Sequence, residues 1–171
     1  VYRLPFVDVS IGAIASGYSG GLLHRSGVNY QAALGMWINP VLGVRVGLQG
    51  QSHHWYSGAK YLSGVKVTEN KDQVLFGGRA ELMINPLNIS KKWRDKQGGH
   101  DFELNLLAGA DLGGTMRAYV PKSPSNIAFY YGMTGALQFL YRINNPGTYI
   151  YFEPRYSTAT YDITKTDNSV T

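Results

Sequence analysis

The feature that most constrains the fold of this sequence is a regular alternation of apolar and polar residues. Seven segments show it, near residues 6–17, 28–39, 43–56, 73–85, 101–118, 127–143 and 148–160. Side chains along a β-strand point to opposite faces in turn, so each segment has one apolar and one polar face. A helix would need apolar residues at positions i, i+3, i+4 and i+7, which these segments lack. The alternation therefore predicts seven β-strands and an all-β fold.

The length of these segments points to a membrane. Each has at least the roughly 9–11 residues that a tilted strand needs to cross a bilayer. Charged residues make up 16% of the chain, below the roughly 25% usual for soluble domains. No run of about 18 apolar residues exists that could form a membrane-spanning helix. Because only closed barrels allow strands to span lipid with every backbone group paired, the pattern favours a transmembrane antiparallel up-and-down β-barrel.

An Asn-Pro motif recurs where three of the predicted strands end. The copies are Ile38-Asn39-Pro40, Ile84-Asn85-Pro86 and Ile143-Asn144-Asn145-Pro146, the last continuing into a predicted type II turn with Gly147. Proline cannot donate to a strand ladder and asparagine favours turns. The motifs follow the second, fourth and sixth strands, so a meander places them together at one end. Short turns are typical of the periplasmic end, which predicts external loops at 17–28, 57–72, 118–127 and 157–171.

The strand count is odd, whereas bacterial single-chain barrels have even counts. We therefore expect eight strands with seven readable, in one outer-membrane β-barrel domain over residues 1–171. The closing strand is expected to be missing from this sequence, disordered, or supplied by something else.

Two segments carry a family resemblance. Residues 30–48 (YQAALGMWINPVLGVRVGL) and 75–87 (LFGGRAELMINPL) combine a glycine-aromatic strand with a Pro-containing turn. In this they resemble the OmpA-like outer-membrane barrel family of Gram-negative bacteria. The resemblance implies an eight-stranded barrel in the outer membrane with a role in envelope integrity or adhesion. Peptidoglycan binding, which the family often adds through a further C-terminal domain, is not carried over to these residues.

The polar faces carry nearly balanced charge, four positive and five negative residues. An eight-stranded barrel leaves an interior only wide enough for side chains, so we predict an ion-pair network that fills the lumen. The predicted members are Asp8, Arg45, Arg79, Glu81, Glu103, Asp111, Arg142, Glu153 and Arg155. Paired carboxylates could instead supply a general acid and base. We favour packing, and expect no catalytic residue, no cofactor and no metal.

These expectations combine into a non-enzymatic outer-membrane protein. It would serve envelope structure, or act as an accessory subunit of a larger assembly, with recognition by external-loop residues such as Tyr18, His24, Tyr61, Tyr119 and Tyr161. Expected partners are outer-membrane lipid including lipopolysaccharide, and other outer-membrane proteins. Nucleic acid is not expected, because the net charge of +5 is dispersed apart from a cluster at residues 91–96.

Three alternative functions remain open. The barrel could be a small-solute pore, or a lipid hydrolase at the membrane rim that uses Ser52 or Ser57 with His54. A soluble lipocalin-like carrier also alternates along eight strands, but it would line its cavity with the apolar face.

Overall fold

The computed structural model describes residues 5–18, 21–56, 60–62, 65–67, 70–94, 101–118, 127–144 and 147–161. The protein is all-β, and its main antiparallel sheet is curled into a half-barrel. We call the concave side of this sheet the interior and the convex side the outward face.

Long strands make up most of the described chain. In order, the elements are β1 (Pro5–Tyr18), β2 (Gly21–Trp37), β3 (Leu42–Tyr56), β4 (Lys60–Leu62), β5 (Val65–Val67), β6 (Asn70–Ile84), a 3₁₀ turn (Leu87–Ile89), α1 (Lys91–Arg94), β7 (Phe102–Ala118), β8 (Ile127–Asn144), β9 (Thr148–Phe152), β10 (Arg155–Ser157) and β11 (Thr160–Tyr161). β4 and β5 form a separate small hairpin. β9, β10 and β11 all pair with β8, so they form one interrupted strand, here called the seventh strand.

The topology is an up-and-down meander. Each long strand pairs antiparallel with the next long strand in the chain, in the order β1-β2-β3-β6-β7-β8 and then the seventh strand. This confirms the seven predicted strands and the predicted hairpins within 28–56, 73–118 and 127–160. The Asn-Pro motifs stand at the ends of β2, β6 and β8, which lie at one end of the sheet, although Asn145 and Pro146 of the third motif are outside the described residues. Within the described residues β1 and the seventh strand have no strand partner on their second edge.

Asparagine side chains build the turns at this end. The Oδ1 atom of Asn39 accepts hydrogen bonds from the backbone N–H groups of the second and third residues after it, both at 2.8 Å. Asn85 does the same at 3.1 and 3.2 Å. Asn88 then donates from Nδ2 to the Pro40 carbonyl at 2.8 Å, which ties the two turns together. Gly147 has φ +91°, the value that the third position of a type II turn requires.

Two of the predicted connections differ from the structure. Residues 17–28 are not an external loop, because β1 runs to Tyr18 and β2 begins at Gly21. Polar residues end the apolar alternation in this segment. The backbone pairing of β1 with β2 nevertheless continues through it, because it does not depend on side-chain polarity. The connections at 57–72 and 157–171 likewise contain strand, in β4, β5, the start of β6 and the end of the seventh strand.

The connection between β6 and β7 contains helix that the alternation did not predict. A 3₁₀ turn begins after Pro86 and is followed by α1, which carries Lys91, Lys92 and Arg94. No helix in the part of the chain that the structure describes has the length and apolar character needed to span a membrane.

The two faces of the sheet differ sharply in polarity. The outward face exposes large apolar side chains, with Val9 73%, Leu48 72% and Met133 77% accessible. Buried polar groups lie on the interior side, among them Gln31, Gln49, Asn105, Thr134 and Gln138. Apolarity therefore faces out and polarity faces in, the reverse of a water-soluble barrel.

A pair of glycines lies where β6 and β7 leave no room for a side chain. Gly77 and Gly113 lie directly opposite each other. A Cβ atom on Gly77 would lie 2.2 Å from the carbonyl oxygen of Leu112, and one on Gly113 would lie 2.1 Å from that of Phe76. These are backbone atoms, so no side-chain rotation could relieve the overlap.

We therefore expect Gly77→Ala to destabilise the fold by about 1–3 kcal/mol through overpacking. Gly50→Ala is the matched control, because a Cβ there would meet nothing within 4 Å, and we expect a change of no more than about 0.5 kcal/mol. Equilibrium unfolding by denaturant, followed by circular dichroism, measures both. Equal stability of the two variants would show that the close approach at Gly77 is not a constraint.

Candidate functional site

A buried arginine lies at the centre of the interior. Arg45 is 1% exposed, and its guanidinium binds three carboxylates. Nη1 lies 2.6 Å from Asp8 and 3.1 Å from Glu153, and Nη2 lies 2.6 Å from Glu81. The carboxylates come from β1, from β6 and from the break between β9 and β10. One side chain thus joins three separate parts of the sheet, including both of its ends.

The strand register explains how these groups meet. Arg45 on β3 is directly opposite Glu81 on β6, so this pair is set by local pairing. On its other side Arg45 is opposite Gly35, whose missing side chain is replaced by the ring of Phe6. Asp8 and Glu153 have no such relation to Arg45 along a ladder. They reach it because the sheet curls, which is a tertiary effect.

A second arginine completes this group. Arg155 binds Glu81 and Glu153 through its guanidinium and also donates to the Thr134 hydroxyl at 2.6 Å. Asp8, Arg45, Glu81, Glu153 and Arg155 therefore form one connected cluster of two cations and three carboxylates, here called the central cluster. Charge-assisted, multiply bonded pairs of this kind have strongly preferred geometries.

The remaining predicted residues form two further groups. Arg79 holds Asp111 with two parallel bonds of 2.6 and 2.9 Å, and donates to Gln31 at 2.7 Å. These two charged residues are directly opposite on β6 and β7. Nearer the Asn-Pro end, Arg142 donates to the Tyr149 hydroxyl at 3.0 Å, and that hydroxyl lies 3.4 Å from Glu103. All nine predicted residues are thus on the interior side, and the hydrogen bonds and ion pairs described above join them in three groups.

An apolar layer lies beside the charged groups, and the sequence reading missed it. Met83, Leu107 and Ala136 are buried together, with Phe6 and Trp37 packed against them. All five occupy strand positions that otherwise carry polar residues. The signal was present in the sequence, because on its own strand each position alternates in step with polar interior residues, as Met83 does with Glu81 on β6 and Ala136 with Gln138 on β8. The described interior is therefore occupied by interlocking charged, amide and apolar side chains.

This arrangement favours packing over chemistry in the interior. In the central cluster and the Arg79 pair, each carboxylate binds a guanidinium, whereas a general acid or base must be free to exchange a proton with substrate. Among the described residues there is also no group of three His, Asp or Glu placed to hold a metal ion. Of the predicted rim hydrolase, Ser52 is exposed on the outward face, while Ser57 lies outside the described residues.

Comparisons with known proteins do not identify a relative: no family model, no curated protein and no solved structure matches this chain.

Arg45 and Arg79 provide a test of the interior groups. Arg79→Met should cost about 3–5 kcal/mol because it leaves Asp111 buried without its cation, and adding Asp111→Leu should recover most of that loss. Arg45→Met should cost at least as much. Adding Asp8→Leu should recover only part of that loss, since Glu81 and Glu153 are then left to share the single cation of Arg155. Denaturant unfolding of the single and double variants measures how much stability each second substitution recovers. Equal recovery for the Arg45 and Arg79 pairs would contradict the central cluster.

Proposed function

We propose that this chain is an OmpA-like β-barrel domain of a Gram-negative outer membrane. Its interior is filled, and it serves envelope structure or acts as an accessory subunit of a larger outer-membrane assembly. The observation that carries the proposal is the apolar outward face. Lipid, including lipopolysaccharide, and neighbouring outer-membrane proteins are its proposed partners.

The outward face is more apolar than a surface in contact with water usually is. Soluble monomers rarely expose continuous apolar patches larger than a few hundred Å². Here exposed apolar side chains occur on every long strand and on the seventh strand, for example Val7, Leu34, Val46, Leu82, Leu112, Met133 and Phe152. Lipid contact explains this face without any protein partner. A lipocalin-like carrier is disfavoured, because it would place these residues in its interior.

The height of the apolar face fits a bilayer. On β6 it runs from Ile84 to Val74, and both ends are exposed. A strand rises about 3.3 Å per residue, so these ten steps cover roughly 33 Å along the strand. At the usual tilt of about 40° this corresponds to roughly 25 Å of height, the thickness of the apolar band of outer-membrane barrels.

Strand direction supports one further strand. Strands alternate in direction along a meander, so the first and the seventh run the same way and could pair with each other only in parallel. A single strand between them would be antiparallel to both and would give the even count of bacterial barrels. The edges are close enough for this, because one nitrogen of Arg45 binds Asp8 from β1 and Glu153 from the seventh strand.

A filled interior directs recognition to the surface. A solute pore would need a continuous aqueous path, whereas described interior positions are occupied by packed side chains. Recognition is therefore assigned to the connections opposite the Asn-Pro end, and to lateral contacts with other barrels. Tyr18, Tyr61 and Tyr161 lie in β1, β4 and β11 at that end, and Tyr119 lies outside the described residues.

Substitution of Leu48 tests whether the outward face contacts lipid or water. In a bilayer, Leu48→Arg should cost about 2–4 kcal/mol near the midplane and reduce insertion into vesicles. Ser52→Arg is the matched control on the same face of β3 and nearer the strand end, where the cost should fall to about 0–1 kcal/mol. Protease protection and heat-dependent gel mobility report insertion. A soluble protein would instead tolerate Leu48→Arg, since Leu48 is already 72% exposed.

Shortening the connections tests where recognition occurs. Replacing residues 57–69, which include β4 and β5, by a short turn should leave insertion intact because the long strands are retained. Capture of a co-purifying outer-membrane protein should be lost. Crosslinking in intact cells, with identification of the partner, measures the effect. If this variant and one shortened at 119–126 both still capture the partner, recognition occurs at the outward face of the strands and not at these connections.

A further inference from the structure

The central cluster contains one cation too few. Among the described residues it joins two guanidinium groups to the carboxylates of Asp8, Glu81 and Glu153. The other two interior groups are balanced, since each contains one arginine and one carboxylate. One negative charge of the central cluster is therefore left without a counter-charge. A buried charge is strongly unfavourable unless it is paired.

The shortage is located at Asp8. Glu81 and Glu153 each bind both arginines, whereas Asp8 binds Arg45 alone. The Asp8 side chain is 8% exposed, and its Oδ2 atom lies 2.6 Å from Arg45. Its Oδ1 atom is buried and accepts no hydrogen bond from any residue that the structure describes. A further donor, and by charge a cation, is therefore expected beside Asp8.

Asp8 lies at the gap in the sheet. It is on β1, which like the seventh strand has one unpaired edge within the described ranges. Nη1 of Arg45 binds both Asp8 and Glu153, so these two carboxylate oxygens lie within about 6 Å of each other. With side-chain bonds of about 1.5 Å, the two backbones are at most roughly 14 Å apart at this level. Because neighbouring strands lie about 4.8 Å apart, one strand fits between them. Two would need at least the whole distance and would place one parallel to β1.

We propose that this gap binds one β-strand of a partner protein, and that this strand carries a lysine or arginine facing inward beside Asp8. The inference rests on the role as a subunit of a larger assembly proposed above, and it names what the partner supplies. The added cation donates to Oδ1 of Asp8 and brings the central cluster to three cations and three carboxylates. The strand's backbone pairs antiparallel with both edges, the mode in which extended peptides add to open sheets.

The gap also defines the rest of that strand. It needs about 9–11 residues with apolar side chains at alternate, outward positions. Residues 162–171 do not have this pattern, because their two apolar residues, Ile163 and Val170, have opposite parity. Inward positions have room beside β1: Gly12 shares the face of Asp8, and a Cβ atom on it would meet nothing within 4 Å.

The test uses the full chain folded in detergent micelles and three synthetic peptides of about eleven residues. Each alternates leucine with serine and differs only at its central inward position, which is lysine, glutamine or glutamate. We expect the lysine peptide to bind about 10–100-fold more tightly than the glutamine peptide, the factor typical of a hydrogen bond to a charged group. The glutamate peptide should bind most weakly. Fluorescence anisotropy measures Kd, with empty micelles as the blank, and a photoreactive leucine should crosslink the peptide to β1 and the seventh strand.

Asp8→Asn identifies the group that selects lysine. It should remove the difference in Kd between the lysine and glutamine peptides. Glu103→Gln is the matched control, because it removes an interior carboxylate from β7, which is not an edge strand, and it should keep the difference. Equal binding of the two peptides to the parent chain, or a lysine preference that survives Asp8→Asn, would overturn the proposal.

The position of the crosslinks separates the remaining outcomes. If no peptide crosslinks to the edge strands, or if β1 crosslinks to a second copy of this chain instead, the gap is not a site for a partner strand. The Leu48→Arg comparison judges membrane placement separately, because Leu48 is not on an edge strand. If the chain does not insert into vesicles, the membrane proposal fails, and peptide binding in micelles still decides whether the gap accepts a strand.

Discussion

A single buried guanidinium holds the two ends of the sheet together. Arg45 binds Asp8 from the first strand, Glu81 from a neighbouring strand and Glu153 from the seventh. Burying three carboxylates without a cation would cost several kcal/mol for each charge. The curl of the sheet satisfies this need, because only a curled sheet brings Asp8 and Glu153 to the same arginine. The Arg79–Asp111 and Arg142–Tyr149 contacts, by contrast, join residues that lie directly opposite each other on neighbouring strands.

The interior charges and the outward apolar face are two sides of the same strands. Alternation places polar residues inward wherever apolar ones face out, so a polar interior accompanies an apolar outward face. Glycines such as Gly77 and Gly113 lie where the backbone of the neighbouring strand leaves no room for a Cβ atom. Apolar residues at interior positions, Met83 and Leu107 among them, fill space that ion pairs leave.

The two ends of the sheet differ in construction. At the Asn-Pro end, asparagine side chains replace missing backbone partners and keep the turns tight. At the other end the strands continue past the apolar band with polar residues, and a small hairpin is added between β3 and β6. The connections at the two ends are thus built differently, with asparagine side chains accepting turn hydrogen bonds at one end and strand extensions at the other.

The sequence by itself determined the strands, their two faces, the Asn-Pro turns and the nine interior charges, because alternation and turn chemistry are local properties. It did not determine that residues 17–28 are mostly strand, since backbone pairing continues where side-chain patterning stops. Tertiary structure alone decided that Arg45 meets Asp8 and Glu153. The physical reason is that register and curl are set by all strands together, whereas each strand's pattern specifies only its own two faces.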